Sequence, residues 1–99
     1  MHWCLQDLAD LMEARLVLGR MPPVAGAWTP ITRVVFAATE VEPGDLLWCL
    51  DAGRCDEELA YFRGAAGVVT QKAIEPWPGR YALCVSDPAA VWRRLPLPW

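Results

Sequence analysis

The most constraining feature of the sequence is a pair of apolar runs, residues 31–36 and 46–50, separated by a tight turn. The first run is rich in β-branched residues, and both are apolar enough to predict buried strands. The turn is residues 42–45, Glu-Pro-Gly-Asp, in which Pro43 fixes its own φ and Gly44 readily adopts a positive one. The segment therefore predicts a strand, a tight turn and a second strand.

Three short helices are predicted around these strands. An amphipathic helix is indicated by apolar residues at helical spacing, namely Leu5, Leu8, Ala9 and Met12. Asp56 is a candidate N-cap for a second helix that turns Leu59, Phe62 and Ala60 inward and ends at Gly64. Asp87 followed by Pro88 has the pattern of an N-cap and a first helical residue, which predicts a third helix.

Further apolar runs predict strands at residues 15–18, 67–70 and 81–85, while the proline-containing segments 20–30 and 73–79 predict surface connections. Strands that alternate with short helices are typical of an α/β domain with a mixed or mainly parallel sheet. A length of 99 residues suits one domain. We therefore predict a single small α/β domain over residues 1–99.

Composition and charge exclude several function classes. Hydrophobic residues make up 55% of the chain and charged residues 21%, which supports a buried core and argues against disorder. The net charge of −3 comes from scattered signs with no basic stripe, so nucleic-acid binding is not expected. No apolar run is long enough for a membrane span, and the acidic start does not resemble a signal peptide. We expect a cytoplasmic protein.

The four cysteines predict neither a metal site nor a cofactor site. They form no CxxC pair and the chain has one histidine, His2, so zinc-ligand spacing is absent. An even count would permit disulfides in an exported protein. Cys4, Cys49 and Cys84 lie inside apolar runs, however, where a free cysteine usually serves as a small core residue. We expect free cysteines and no cofactor.

Four parts of the sequence, in order, resemble the Mur ligase N-terminal domain. The pattern Val-x-Pro-Gly-Asp is present at Val41, Pro43, Gly44 and Asp45. Residues 5–9 are similar to its Leu-x-x-Leu-Ala helix, and residues 64–69 to its Gly-Ala-x-x-Val-Val segment. Leu50, Arg54 and Asp56 are similar to the family's Leu-x-Gly-x-Arg-x-Asp-Gly loop, which comes after the second strand. The HPr kinase N-terminal domain shares this superfold, so the resemblance implies the fold more firmly than the ligand.

In that family the domain holds the uridine diphosphate end of a peptidoglycan precursor. Ala37, Ala38 and Thr39 stand where the family has Asp-Ser-Arg, so the resemblance implies a site with few polar groups left. The residues that it assigns to ligand contact are Thr39, Arg54 and Asp56, and Pro43, Gly44 and Asp45 would form the motif turn. Arg54 has the alternative of a solvated loop charge, and Asp56 that of a helix cap.

No catalytic machinery is predicted. The phosphate-binding pattern GxxxxGK[ST] does not occur, so the ATP chemistry of a complete Mur ligase is not expected of this chain. No motif places His2 beside Cys55 as a base beside a nucleophile. The acidic residues from Asp51 to Glu58 lack calcium-loop order, and we expect a solvated helix start there.

Tryptophans suggest both a core and a surface. Trp48 and Trp92 lie in a predicted strand and helix, where core packing is the expectation. Trp28, Trp77 and Trp99 adjoin prolines in predicted loops or the tail, a context that favours an interaction surface. The alternative for residues 95–99 is a tail folded back over the core.

Together these features predict a non-catalytic domain derived from a UDP-sugar recognition module, with its ligand site degraded. The alternative is a protein-interaction or regulatory module that keeps only the fold. The implied partners are a UDP-N-acetylmuramoyl-type nucleotide sugar in the first case, and a protein or a second copy of the chain in the second. Met1 and the proline-rich end predict a full gene product.

Overall fold

A mixed five-stranded sheet with helices on both faces organises the computed structural model. The structure describes residues 3–19, 30–31, 33–51, 55–72 and 74–94, with backbone only for residues 3, 4, 30 and 31. In these ranges no helix has the length and apolar character that crossing a bilayer requires. The mixed sheet with short helices confirms the predicted α/β class.

The strands and helices are short. The strands are β1 Trp3–Cys4, β2 Arg15–Leu18, β3 Pro30–Ile31, β4 Val34–Val35, β5 Leu46–Trp48, β6 Gly67–Thr70 and β7 Tyr81–Cys84. The helices are α1 Leu5–Met12, α2 Glu57–Phe62 and α3 Pro88–Arg94. A 3-10 turn, Ala38–Glu40, follows β4. β1 and β3 pair with each other, antiparallel, outside the main sheet.

The main sheet has the order β2-β7-β6-β5-β4. β4, β5, β6 and β7 run parallel to one another. β2 pairs with β7 antiparallel, with Leu18 opposite Tyr81. The carboxyl ends of four strands therefore lie at one edge of the sheet. In open α/β sheets ligands bind at that edge.

Alternate residues of the central strands bury two cores, as strand geometry requires. On one face Leu46, Trp48 and Val69 pack with α1 and α3. On the other face Leu47, Cys49 and Val68 pack with α2. Trp48 is fully buried and donates its indole N–H to the Pro88 carbonyl at 2.8 Å, so the sheet is tied to α3.

The predicted helix ends are confirmed. The Asp56 carboxylate accepts from the Leu59 N–H at 3.0 Å, and that of Asp87 accepts from the Ala90 N–H at 3.1 Å. Gly64, with φ +100°, follows α2, where the Ala65 N–H donates to the Ala60 carbonyl at 2.9 Å. A glycine in this conformation is a common helix terminator.

Two predictions about side-chain direction and strand length are wrong. Phe62 is 77% exposed and Leu59 is half-buried, whereas Ala60 faces the core as expected, together with Glu57 and Tyr61. The inward residues are those at i, i+3 and i+4 from Glu57, because packing on the sheet sets which side of α2 faces the core.

The predicted strand at 31–36 is also divided, since Ile31 pairs with β1 whereas Val34 and Val35 pair with β5. Arg33, at the junction, is exposed, and so is Phe36. The segment changes pairing partner along its length, which an apolar pattern does not reveal.

Candidate functional site

A cavity of about 460 Å³ lies at the carboxyl edge of β4 and β5. It is lined by residues that follow these strands and by the start of α2, namely Phe36, Ala37, Ala38, Thr39, Leu47, Cys49, Leu50, Asp51, Cys55, Asp56 and Leu59. The volume is in the range of small-molecule sites. We call it the edge cavity. It brings together two of the predicted ligand residues, Thr39 and Asp56.

Thr39 reaches the edge cavity from the 3-10 turn. The backbone there is tied locally, since the Glu40 N–H donates to the Ala37 carbonyl at 3.0 Å and the Val41 N–H to that of Ala38 at 3.3 Å. Ala37 precedes the turn without a side-chain cap. The turn therefore presents two methyl groups and one exposed hydroxyl to the cavity.

Asp56 has two roles. Its side chain lines the edge cavity, and one of its carboxylate oxygens caps α2. Asp51 is the second acid of the lining and has interactions of its own. No Lys or Arg is among the lining residues within the part of the chain that the structure describes. Arg54, the predicted anion contact, lies outside the described residues. The described lining is therefore apolar and acidic.

The motif turn lies at the opposite edge of the sheet. Asp45 directly precedes β5, and its carboxylate accepts from Arg33 Nε at 3.0 Å, Arg33 Nη2 at 2.6 Å and the Glu42 N–H at 2.8 Å. Burial alone would raise the pKa of Asp45, but these donors outweigh it and hold the pKa below its usual value. Pro43, Gly44 and Asp45 thus shape the frame and do not line the edge cavity.

Two pieces of the sequence motif also contact each other. The Gly44 N–H donates to the Gly64 carbonyl at 2.9 Å, and the Ala66 N–H to the Asp45 carbonyl at 2.8 Å. A Cβ on Gly64 would lie 3.0 Å from Pro43 Cα, so the approach leaves no room for a side chain. The turn and the Gly64–Ala65 segment are therefore one packing unit. Arg33, which completes it, had no signal in the sequence.

A larger cavity of about 950 Å³ runs beside α2 and the 74–79 loop. Trp77 is half-buried there and stacks on Tyr61 with ring centroids 6.0 Å apart. The Tyr61 hydroxyl donates to the Tyr81 carbonyl at 2.6 Å, and burial raises the pKa of both phenols. Both tyrosines stay neutral and structural. Trp28 and Trp99, the other predicted surface tryptophans, lie outside the described residues.

The expectation of free cysteines is wrong for two of them. Cys49 and Cys55 form a disulfide with Cα atoms 5.5 Å apart, and Cys84 is free and half-buried. Cys55 therefore lies beside Cys49, which directly follows β5. The expected solvated helix start is also wrong for Glu57, which is 8% exposed. Lys72 Nζ lies 3.4 Å from its carboxylate.

Comparison with known proteins shows a fold and no family. No protein-family model matches the chain, and no curated protein matches it significantly. Among solved structures, it is similar to UDP-N-acetylmuramoylalanyl-D-glutamyl-2,6-diaminopimelate D-alanyl-D-alanyl ligase from Acinetobacter baumannii, with a TM-score of 0.67 and 17% identity. The match covers 92% of this chain and 20% of the ligase, so the chain spans about a fifth of that protein. The predicted Mur ligase-like fold is confirmed. The likeness to the HPr kinase domain stays a prediction.

Proposed function

We propose that this chain is a non-catalytic nucleotide-sugar recognition domain of the Mur ligase type, with a weakened ligand site in the edge cavity. The observation that carries the proposal is that Thr39 and Asp56, distant in sequence, line one cavity at the carboxyl edge of parallel strands. The similar ligase has a UDP-sugar in its name, which supplies the ligand class. We place the domain in the cytoplasm, the compartment that the sequence predicts.

The lining chemistry accounts for a weakened site. A diphosphate requires cationic or N–H donors, whereas the described lining has the carboxylates of Asp51 and Asp56. Uracil and a sugar are neutral, and the Thr39 hydroxyl and the backbone of the 3-10 turn are suitable hydrogen-bonding partners for them. We therefore expect binding with a Kd of about 1 mM, near −4 kcal/mol.

The test restores charge at the position where the family has arginine. Thr39→Arg should tighten binding of a UDP-N-acetylmuramoyl peptide roughly 10- to 150-fold, because one charge-assisted hydrogen bond contributes about 1.5–3 kcal/mol. Isothermal titration calorimetry measures the effect. Phe62→Arg is the matched control, since it adds the same charge at a residue that is 77% exposed and outside the edge cavity. No binding by either the native chain or Thr39→Arg at millimolar ligand would contradict the proposal.

The second candidate is a protein-interaction module, and the exposure of Phe62 favours it. A phenyl ring that is 77% exposed on a short helix is available for contact with a partner. Phe62→Ser should abolish self-association or partner capture, with the free energy of unfolding within about 0.5 kcal/mol of the native chain. Size-exclusion chromatography with light scattering measures this. Leu11→Ser, at a residue 40% exposed on α1, is the control. A native chain that is strictly monomeric and captures no partner would count against this candidate.

A further inference from the structure

Two sulfur atoms and one carboxylate converge between β5 and α2. Sγ of Cys49, Sγ of Cys55 and a carboxylate oxygen of Glu57 all lie within 4.8 Å of one another. Cys49 is 3% exposed and Glu57 is 8% exposed. We propose that, once the Cys49–Cys55 bond is reduced, these three side chains bind a divalent cation of the zinc type. The inference does not rest on nucleotide-sugar binding, although Cys49 and Cys55 also line the edge cavity.

The donor set and its dimensions suit zinc. Thiolate sulfur and carboxylate oxygen are both ordinary zinc ligands, at about 2.3 Å and 2.0–2.2 Å from the ion. Two such ligands on a tetrahedral ion are therefore roughly 3.5–3.8 Å apart. The three donor atoms lie within 4.8 Å of one another, and the Cα atoms of Cys49 and Cys55 are 5.5 Å apart. A thiolate pair also favours zinc over magnesium or calcium, which prefer oxygen ligands.

Charge balance supports the same assignment. Two thiolates and one carboxylate carry three negative charges in a largely buried place. Lys72 Nζ lies 3.4 Å from Glu57 Oε1 and 3.4 Å from the Cys55 carbonyl oxygen. The Lys72 ammonium and a divalent ion together supply three positive charges. Because buried charge is costly unless it is paired, a neutral cluster of this composition is the stable one.

The ion has a path to the site and a position for water. Cys55 lines both the edge cavity and the larger cavity, and Glu57 lines the larger one. Three protein ligands leave the fourth tetrahedral position to a solvent molecule, as in open zinc sites. Both cavities therefore give solvent a route to the three ligands.

Reduction and metal binding are separate, balanced steps. A trialkylphosphine breaks the sulfur–sulfur bond and is oxidised to the phosphine oxide, while water supplies the oxygen atom and the two thiol protons. Binding of the divalent ion then replaces the two thiol protons, which are released to solvent. In the oxidised chain neither sulfur is a thiolate, so the site exists only in the reduced chain.

The experiment titrates the full chain with Co²⁺, then displaces it with Zn²⁺. The reduced chain should bind one ion, with thiolate-to-cobalt charge-transfer absorption, and the oxidised chain should show none. Glu57→Gln should weaken binding by at least about tenfold, the lower limit seen when even an indirect metal contact is removed. Cys84→Ser should leave binding unchanged, because Cys84 is a free cysteine outside the cluster.

Several outcomes would overturn the assignment. They are a cobalt–thiolate band in the oxidised chain, none in the reduced chain, equal affinity of Glu57→Gln and the native chain, or loss of the band in Cys84→Ser. If circular dichroism shows that Glu57→Gln is unfolded, Cys55→Ser takes its place and must lack the band. The comparison of oxidised with reduced native chain needs no substitution, so it decides the proposal even then.

Discussion

Asp45 is a buried carboxylate whose partners lie within the turn and in the segment before it. It is 4% exposed and accepts from the Arg33 guanidinium and from the Glu42 backbone N–H. Arg33 also donates to the Glu40 carbonyl at 3.2 Å, which extends the network to the end of the 3-10 turn. A carboxylate that loses such donors leaves buried polar groups unsatisfied. The aspartate of the motif turn is therefore a stability determinant.

Asp45→Asn should lower the free energy of unfolding by about 1–3 kcal/mol at neutral pH, since hydrogen bonds to a charged acceptor are lost. The pKa of Asp45 is lowered in the folded state, so its contribution is present above the unfolded pKa of about 3.9 and lost as pH falls through the folded value. Urea unfolding of both chains at several pH values should give curves that converge in acid.

Glu42→Gln is the matched control for that measurement. Glu42 faces the same guanidinium at 3.6 Å, but its side chain is 72% exposed. An exposed ion pair contributes little, so this variant should stay within about 1 kcal/mol of the native chain at every pH. A constant difference between native chain and Asp45→Asn down to strong acid would show that the charge of Asp45 is not the cause.

At the scale of elements, the sequence predicted the helix starts, because these depend on interactions between residues close in the chain. Asp56 and Asp87 cap their helices as predicted, because a cap needs only a side chain and N–H groups three residues ahead. The direction of α2 could not be predicted in this way. Packing on the sheet sets the inward face of α2. Leu59 and Phe62 are the more apolar side chains in the sequence, whereas Tyr61 is the large side chain that faces the core.

Some residues of the candidate site were likewise predicted from the sequence, and others were missed. Thr39 and Asp56 were predicted from the order of sequence motifs, and parallel strands bring them to one edge. The partner of Asp45 and the Cys49–Cys55 pair were missed, because each joins residues whose proximity depends on how a loop closes. Apolar surroundings indicated burial for Cys49, which is correct, but they give no information about a neighbouring thiol.

At the scale of the whole molecule, the Cys49–Cys55 bond closes the loop between β5 and α2. It joins the end of β5 to the start of α2, and residues of this loop line both cavities. In the unfolded chain the same bond restricts a loop with a sequence separation of 6. Closing so short a loop stabilises the folded state by roughly 2 kcal/mol in the chain-entropy treatment.

Reduction should therefore lower the Tm of the whole domain in the absence of metal by roughly 8–16 °C, since about 1 kcal/mol shifts Tm by about 4–8 °C at this size. Scanning calorimetry with and without a trialkylphosphine measures the shift. Cys84→Ser should keep the full response because its thiol takes no part in the bond, whereas a Cys49→Ser, Cys55→Ser double variant should melt near the reduced native chain and ignore the reductant. A double variant that still responds to the reductant would place the stabilising bond elsewhere in the chain.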